Sequence, residues 1–210
     1  MHGPRGTTPS KCVQRPQEFL QQELRHRFAN ELAATLASLH LVRARGCESG
    51  MVDDAITRVQ AQARLLRLLG EPLPARCNLV ERIGELANLL IRSRRSGPGT
   101  TIRVSATQIF MDGEEVARIL VVMNELLVNA LKRVGEGPVR VKIRTTPDEH
   151  VHMSVANRSD GAAQFQTRGN GIRTMALYAR MHGGRLSVEN HRGSFCVTLS
   201  WPTNGTRRNV

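Results

Sequence analysis

Aromatic residues are scarce in this chain: they make up 3% of its 210 residues, whereas all hydrophobic residues together make up 40%. The sequence therefore predicts a core of aliphatic side chains. No apolar run has the length that spanning a bilayer requires, and residues 1–11 lack the apolar stretch of a secretory signal. The four cysteines are scattered, without metal-ligand spacing. We expect a cytoplasmic protein with ordinary thiols and no membrane span.

Acidic residues are outnumbered by basic ones, 18 to 30, which gives a net charge of +12. A basic balance is typical of proteins that bind nucleic acid, anionic surfaces or acidic proteins. Here the arginines are spread along the chain, with no aromatic residues between them for base stacking and no zinc-finger pattern. The sequence therefore indicates a phosphate ligand or an acidic protein partner, and no nucleic acid.

Two amphipathic helices are predicted after a Gly- and Pro-rich start, residues 1–15, which we expect to be disordered. The first helix begins at Pro16 and ends near Arg45, and its apolar stripe is Leu20, Leu24, Phe28, Leu32, Leu36 and Leu39. The second runs from Met51 to Leu69, with the stripe Val52, Ile56, Val59, Ala63 and Leu66. Together, residues 16–70 form a helical hairpin. One hairpin buries only part of these stripes, so we predict a homodimer that closes a four-helix bundle.

A different pattern follows the linker Gly70–Pro74. Residues 75–202 mix helices and strands, which predicts an α+β sandwich with a mixed sheet covered by helices. Residues 203–210 form a basic tail. The predicted helices are Asn78–Ser93 (capped by Asn78), Gly113–Arg133 (capped by Asp112) and Asn170–His182. The predicted strands are Thr101–Ser105, one near Ile109, Val139–Arg144, His150–Ala156, Arg185–Glu189 and Ser194–Trp201.

His26 lies on the polar side of the first predicted helix. It is two residues from Leu24 and from Phe28, so it points away from the apolar stripe. An exposed imidazole can attack a phosphoryl group. Glu23 and Asn30 lie on the same face as His26, and Arg27 can offset phosphate charge. An ordinary surface histidine is the alternative from this position alone.

The helix pair resembles the dimerisation and phosphoacceptor hairpin of bacterial sensor histidine kinases of the second-type and related HWE group. That pattern has a histidine followed by arginine, with asparagine four residues on, here His26, Arg27 and Asn30. The run Ser38–Arg45 and the second-helix motif from Ala55 to Leu69 also match. The resemblance implies that His26 carries phosphate and that the partner is a response-regulator receiver domain.

The second unit resembles the ATP-binding domain of the same kinases, which is shared with gyrase, Hsp90 and MutL proteins. The motif E-L-x-x-N-A-x-K is matched by Glu125, Asn129 and Lys132. The resemblance implies that Asn129 is a Mg²⁺ ligand, with Glu125 as its polar helper and Lys132 as a contact to the phosphates of ATP. The glycine motif before the last helix is matched by Gly169 and Gly171.

One motif departs from this family. The family places aspartate where this chain has Asn157, to accept the adenine amino group, and the two glycines that follow in the family are missing. Asparagine can accept the same hydrogen bond, but it is neutral. Two alternatives follow: a histidine kinase that uses ATP and Mg²⁺ to phosphorylate His26, or a histidine phosphotransferase that relays phosphate between receiver domains without ATP. A third alternative, a non-catalytic binding protein, does not account for the helix that carries His26 and Asn30.

Overall fold

The computed structural model describes residues 31, 34–35, 37–39, 41–42, 49–94, 100–132, 137–158, 170–191 and 194–203. The chain divides into two compact units, Met1–Cys47 and Glu48–Val210. The sequence placed the domain boundary in residues 70–75, after the second predicted helix. By its contacts, that helix belongs to the second unit, because it packs along the helix Leu79–Ser93. The dimerisation role of residues 16–70 stays a prediction.

The described residues of the first unit are helical, as predicted for this part of the chain. Two hydroxyl groups bond back to the helix carbonyls: Thr35 Oγ1 donates to Glu31 O at 2.9 Å, and Ser38 Oγ donates to Ala34 O at 3.0 Å. These bonds satisfy short polar side chains inside a helix without breaking it. The stripe positions before Leu39 lie outside the described residues.

The second unit is a mixed α/β structure, which confirms the predicted α+β class. Its helices are α1 (Ser49–Gly70), α2 (Leu79–Ser93), α3 (Gly113–Lys132) and α4 (Asn170–Met181). Its strands are β1 (Arg76–Asn78), β2 (Ile102–Ala106), β3 (Phe110–Asp112), β4 (Val139–Thr145), β5 (His150–Arg158), β6 (Arg185–His191) and β7 (Ser194–Pro202). Among the helices of the described ranges, none combines the length and apolar character that crossing a bilayer requires.

Five strands form the main sheet, in the order β2-β4-β5-β7-β6. β2 and β4 run parallel, with α3 in the connection between them, and the other neighbours are antiparallel. Burial alternates along β4, β5 and β7, so one face of the sheet is buried and the other is open. Since α3 contacts both β4 and β5, the helices cover the buried face.

Helix α3 is the central helix of this unit. Its residues 121–128 are all buried, and it contacts α1, α2, α4 and the sheet. The predicted caps are confirmed for α2 and α3: Asn78 Oδ1 accepts from Val80 N at 3.1 Å, and Asp112 Oδ1 accepts from Glu114 N at 2.9 Å. These side chains satisfy amide groups that have no partner inside the helix. The residues of α3 that carry the candidate site are therefore held in place by packing on several sides.

Helix α1 buries a different face from the predicted stripe. On the predicted stripe, Ile56 is 46% exposed, Ala63 is exposed, and Val52, Val59 and Leu66 are only half-buried. The helix is apolar on two sides, and the side used inside this unit is the one that meets α2. The residues that α1 buries are Ala55, Ala61, Gln62, Leu65 and Leu68.

Gly113, the first residue of α3, lies against the linker before β1. A Cβ atom at this position would lie 2.1 Å from the backbone oxygen of Pro74. We expect Gly113→Ala to lower the free energy of unfolding by roughly 3 kcal/mol or more, because backbone atoms must move to admit the methyl group. Urea denaturation measures this loss.

The matched control is Gly84→Ala in α2, where an added Cβ meets no atom within 4 Å. Alanine is favoured over glycine inside a helix by about 0.5–1 kcal/mol, so this variant should be slightly stabilised. Equal stability changes in the two variants would contradict the contact between Gly113 and Pro74.

A small aromatic cluster closes the end of α4. His182 lies edge-on to Tyr178, with ring centroids 4.7 Å apart, and it stacks on the buried Trp201 at 6.2 Å. Burial lowers the pKa of His182 below its ordinary value of 6.5, and the positive charge of Arg118 lowers it further. Burial also raises the pKa of Tyr178. The folded protein therefore favours neutral His182.

This pKa predicts how stability depends on pH. Because the pKa of His182 is lower in the folded state, the unfolded chain takes up the proton first as the pH falls, so acid favours unfolding. Its contribution to stability is present above pH 6.5 and should be lost as the pH falls through the folded-state pKa. We expect His182→Gln to flatten the decline in unfolding free energy between about pH 8 and about pH 5. His150→Gln serves as the control, and an unchanged decline in His182→Gln would contradict the assignment.

Candidate nucleotide and phosphoacceptor site

Glu125 and Asn129 form a hydrogen-bonded pair on α3. Asn129 Nδ2 donates to Glu125 Oε1 at 3.0 Å, and Glu125 is only 6% exposed. The two residues are four positions apart, so they lie on one face of the helix. Because the amide nitrogen is engaged by the carboxylate, the Asn129 oxygen is directed to the other side of the amide group. An amide oxygen presented in this way can bind a hard cation such as Mg²⁺.

Lys132 is the last residue of α3, and its side chain is exposed. It lies three residues after Asn129, so both side chains project from neighbouring positions of the helix surface. A lysine at this position can reach an anionic group bound beside Asn129, because its ammonium group ends a flexible four-carbon chain.

Asn157 lies near the end of β5 and is 3% exposed. It belongs to the buried, helix-facing positions of the strand, and its Cα partner on β7 is Phe195. Its Nδ2 group lies 3.5 Å from Arg158 O, so the amide nitrogen is turned toward the backbone. An amide carries no charge at any pH, so a ligand amino group would meet a neutral acceptor here.

Helix α4 begins at Asn170, which places Gly171 in its first turn. Backbone N–H groups at the start of a helix have no partner within the helix and can bind phosphate. Helix α4 contacts α3. Near the end of α4, burial raises the pKa of Tyr178 and lowers that of His182, and the charge of Arg118 on α3 acts to lower both pKa values to a smaller extent. Asn129 follows Arg118 by three helical turns on the same face. Gly169 lies outside the described residues.

Asn124 is a buried polar residue to which the sequence analysis gave no role. Its Oδ1 atom is buried and has no hydrogen-bond partner among the described residues. It directly precedes Glu125, and no periodic pattern distinguishes it from its apolar neighbours. A buried polar atom without a hydrogen bond costs about 1–3 kcal/mol, so an amide at this position costs stability that an apolar residue would not.

The predicted phosphoacceptor group lies outside the described residues. This applies to Glu23, His26, Arg27 and Asn30. The structure therefore brings together Glu125 and Asn129, and locates Lys132 and Gly171 on the helices predicted for them. Asn157 was expected just after a strand that ends at Ala156; it lies within β5 instead, because pairing with β7 extends that strand to Arg158. The functional roles of all these residues stay predictions.

Comparison with known proteins gives similarity at the level of structure. No family model and no curated protein matches the sequence. The Erythrobacter litoralis EL346 blue-light activated histidine kinase aligns with a TM-score of 0.55 and 21% identity over 91% of this chain and 65% of that chain. A bacterial phosphotransferase aligns with a TM-score of 0.57 and 13% identity over 92% and 98%. The catalytic domain of histidine kinase ThkA aligns with a TM-score of 0.50 and 21% identity over 61% and 94%.

These similarities identify the fold. The chain has a histidine kinase-like fold. Its five-stranded mixed sheet with helices on one face is the arrangement of the histidine kinase and Hsp90-like ATPase structures. The chain spans 65% of the length of the light-activated kinase. At 13–21% identity, the neighbours determine the fold and leave activity, substrates and partners to separate argument.

Proposed function

We propose that this protein is a histidine kinase of a two-component signalling system. It dimerises through residues 16–70, binds ATP and Mg²⁺ through residues 75–202, and carries phosphate on His26. The phosphate then passes to an aspartate of a response-regulator receiver domain. The hydrogen bond between Glu125 and Asn129 carries this proposal, because a buried carboxylate that orients an amide oxygen suits Mg²⁺ binding.

Three groups of the nucleotide unit would bind different parts of Mg²⁺–ATP. Asn129 offers the metal an oxygen, Lys132 offers the phosphates a positive charge, and the first turn of α4 at Gly171 offers backbone N–H groups. When bound, Mg²⁺–ATP supplies the phosphoryl group. Asn157, which is buried near the end of β5, would accept a hydrogen bond from the adenine amino group.

The residues around His26 would serve the transfer itself. The neutral ring nitrogen is the nucleophile. Glu23 and Asn30, on the same predicted helix face, can orient the ring, and Arg27 can offset the charge of the incoming phosphoryl group. The predicted position of His26 on the polar face of its helix would let a receiver aspartate approach the same nitrogen in the second step.

A second candidate is a histidine phosphotransferase that relays phosphate between receiver domains without ATP. Two observations favour it: the neutral Asn157 in place of a carboxylate, and the similarity to a bacterial phosphotransferase along 98% of that protein. Both candidates use His26 and the dimer. They differ only in where the phosphate comes from.

Incubation of the purified protein with γ-labelled ATP and Mg²⁺ tests the proposal. The kinase should acquire label that acid removes and base does not, as expected for phosphohistidine. A protein that takes up label only from a phosphorylated receiver, and none from ATP, is the relay. A protein that takes up label from neither source has neither activity, and the binding-protein alternative replaces both.

We also expect a homodimer in solution, because the predicted stripe of α1 includes an isoleucine, Ile56, that is 46% exposed in the single chain. Ile56→Glu should shift the protein to a monomer, since a charge at a dimer seam lacks a partner. Light scattering measures the change. Thr57→Glu adds the same charge at the next, exposed position and should leave the dimer intact; a monomeric wild type would contradict the prediction.

A further inference from the structure

The open face of the five-stranded sheet is strongly basic. Its residues alternate with the buried, helix-facing ones, so the strand registers identify them. The Arg and Lys side chains at these outward positions number six: Arg103 on β2, Arg140, Lys142 and Arg144 on β4, Arg158 on β5 and Arg185 on β6. All six are exposed. Among the described strand residues of this face, Glu189 is the one acidic side chain.

Two of these cations are direct neighbours on adjacent strands, and three others lie at every second position of β4 or across the sheet on β6. Arg103 is the Cα partner of Arg140, and Arg144 is the partner of His152. His152 is in turn next to Ser200, whose Oγ lies 3.5 Å from His152 Nε2, and Ser200 pairs with Arg185. Like charges directly opposite each other destabilise a sheet. A face that keeps them together indicates an anionic ligand.

The chemistry of this face disfavours a protein partner. Stable protein interfaces have aromatic or large aliphatic anchors at their centre. The described outward positions of the five strands contain no Phe, Tyr, Trp, Leu, Ile, Val or Met. Their centre is formed by Ser154, Thr198 and Ser200, hydroxyl groups that can donate to phosphate. A second copy of the same face would be repelled by its charge.

The positions of the basic residues favour a lipid bilayer over a nucleic-acid duplex as the phosphate-rich partner. Arg103 lies on the edge strand β2 and Arg185 on the opposite edge strand β6, four strand spacings away, or roughly 19 Å. A nucleic-acid duplex is a cylinder that touches a broad sheet along a line, and base reading needs a helix or β-ribbon in a groove. A lipid bilayer is a plane that reaches both edges at once.

We propose that this face docks the protein on a bilayer of anionic phospholipids. Basic residues near an anionic bilayer contribute about a fivefold factor each to partitioning. Six of them produce tight binding at low salt, and because no apolar side chain inserts, binding weakens steeply as salt screens the charges. The contact is peripheral and independent of the phosphotransfer reaction.

The first test is cosedimentation of the full chain with vesicles of phosphatidylcholine and about one-third phosphatidylglycerol. The triple variant Arg140→Gln, Lys142→Gln, Arg144→Gln should bind about 100-fold more weakly. The control variant Arg64→Gln, Arg92→Gln, Arg180→Gln removes the same charge from exposed helix positions and should bind within a few-fold of wild type. Absence of wild-type binding, or equal losses in the two triple variants, overturns the proposal.

Single substitutions at the two edges test the planar contact without a large change to the sheet. Arg103→Gln and Arg185→Gln should each weaken vesicle binding by about fivefold. Weaker vesicle binding in only one of these two variants would contradict a flat contact that includes both edges of the sheet. Tighter wild-type binding to duplex DNA or RNA than to the vesicles, with loss in the strand variants, assigns the face to nucleic acid and overturns the proposal as well.

Discussion

Replacement of His26 by alanine should abolish all phosphoryl transfer to and from a phosphorylated receiver. Both the kinase and the relay need a ring nitrogen that holds the phosphoryl group between donor and acceptor, and alanine has none. The residue lies opposite the apolar stripe of its predicted helix, so its removal should leave folding and dimerisation intact. The loss is measured by following over time the transfer of labelled phosphate from a phosphorylated receiver to the wild type and to His26→Ala.

His40 provides the matched control, because it lies 14 residues later on the same predicted helix, on a similar face. His40→Ala should transfer phosphate at the wild-type rate. Survival of exchange in His26→Ala, with loss in His40→Ala, would move the phosphoacceptor to His40. Survival of exchange in both variants would remove the helix from the mechanism.

Local signals were sufficient to predict the four helices and most of the strands of the second unit. The alternating pattern of β5 and β7 and the periodicity of α2 each depend on residues within one element. The caps Asn78 and Asp112 act within four residues of the helix start, and both accept the expected amide hydrogens. The glycines after α4 likewise end the helix, with Gly183 at a φ of 78°.

Features that depend on distant parts of the chain could not be predicted. The strand β1 has three residues, too few for alternation to show, and exists because it pairs with β3. The order of the sheet, with β6 at an edge and β2 parallel to β4, depends on packing between elements. The burial of α1 against α2 is of the same kind: the helix has two apolar sides, and only a partner decides which is used.

In the candidate site too, local features could be predicted from the sequence, and features that depend on packing could not. Residue types and spacing identified Glu125 and Asn129 as a pair, and four-residue spacing on a helix is enough to bring them into contact. Asn124 was missed because its burial is a property of the packed helix. The open basic face was missed for a related reason: its arginines are far apart in the sequence, and only the strand register places Arg103 beside Arg140.

Asn129→Ala should remove the effect of Mg²⁺ on nucleotide binding. The variant lacks the oxygen that the metal would use, so the dissociation constants of ADP with and without Mg²⁺ should become equal in calorimetry, and labelling by ATP should be lost. The carboxylate of Glu125 loses its Asn129 partner, which should lower the free energy of unfolding by about 1–3 kcal/mol. The double variant Glu125→Gln, Asn129→Ala removes the buried charge and should recover part of that stability without recovering the metal effect.

Asn88→Ala, an exposed asparagine on α2, is the matched control and should leave the Mg²⁺ effect unchanged. Asn157→Asp tests the other end of the site: a charged acceptor should strengthen nucleotide binding by up to about 1–2 kcal/mol, because charge-assisted hydrogen bonds are stronger. If the Mg²⁺ effect persists in Asn129→Ala, the metal assignment is wrong. If neither the wild type nor Asn157→Asp binds nucleotide, ATP is not the phosphate source, and the relay through His26 becomes the function that the remaining observations support.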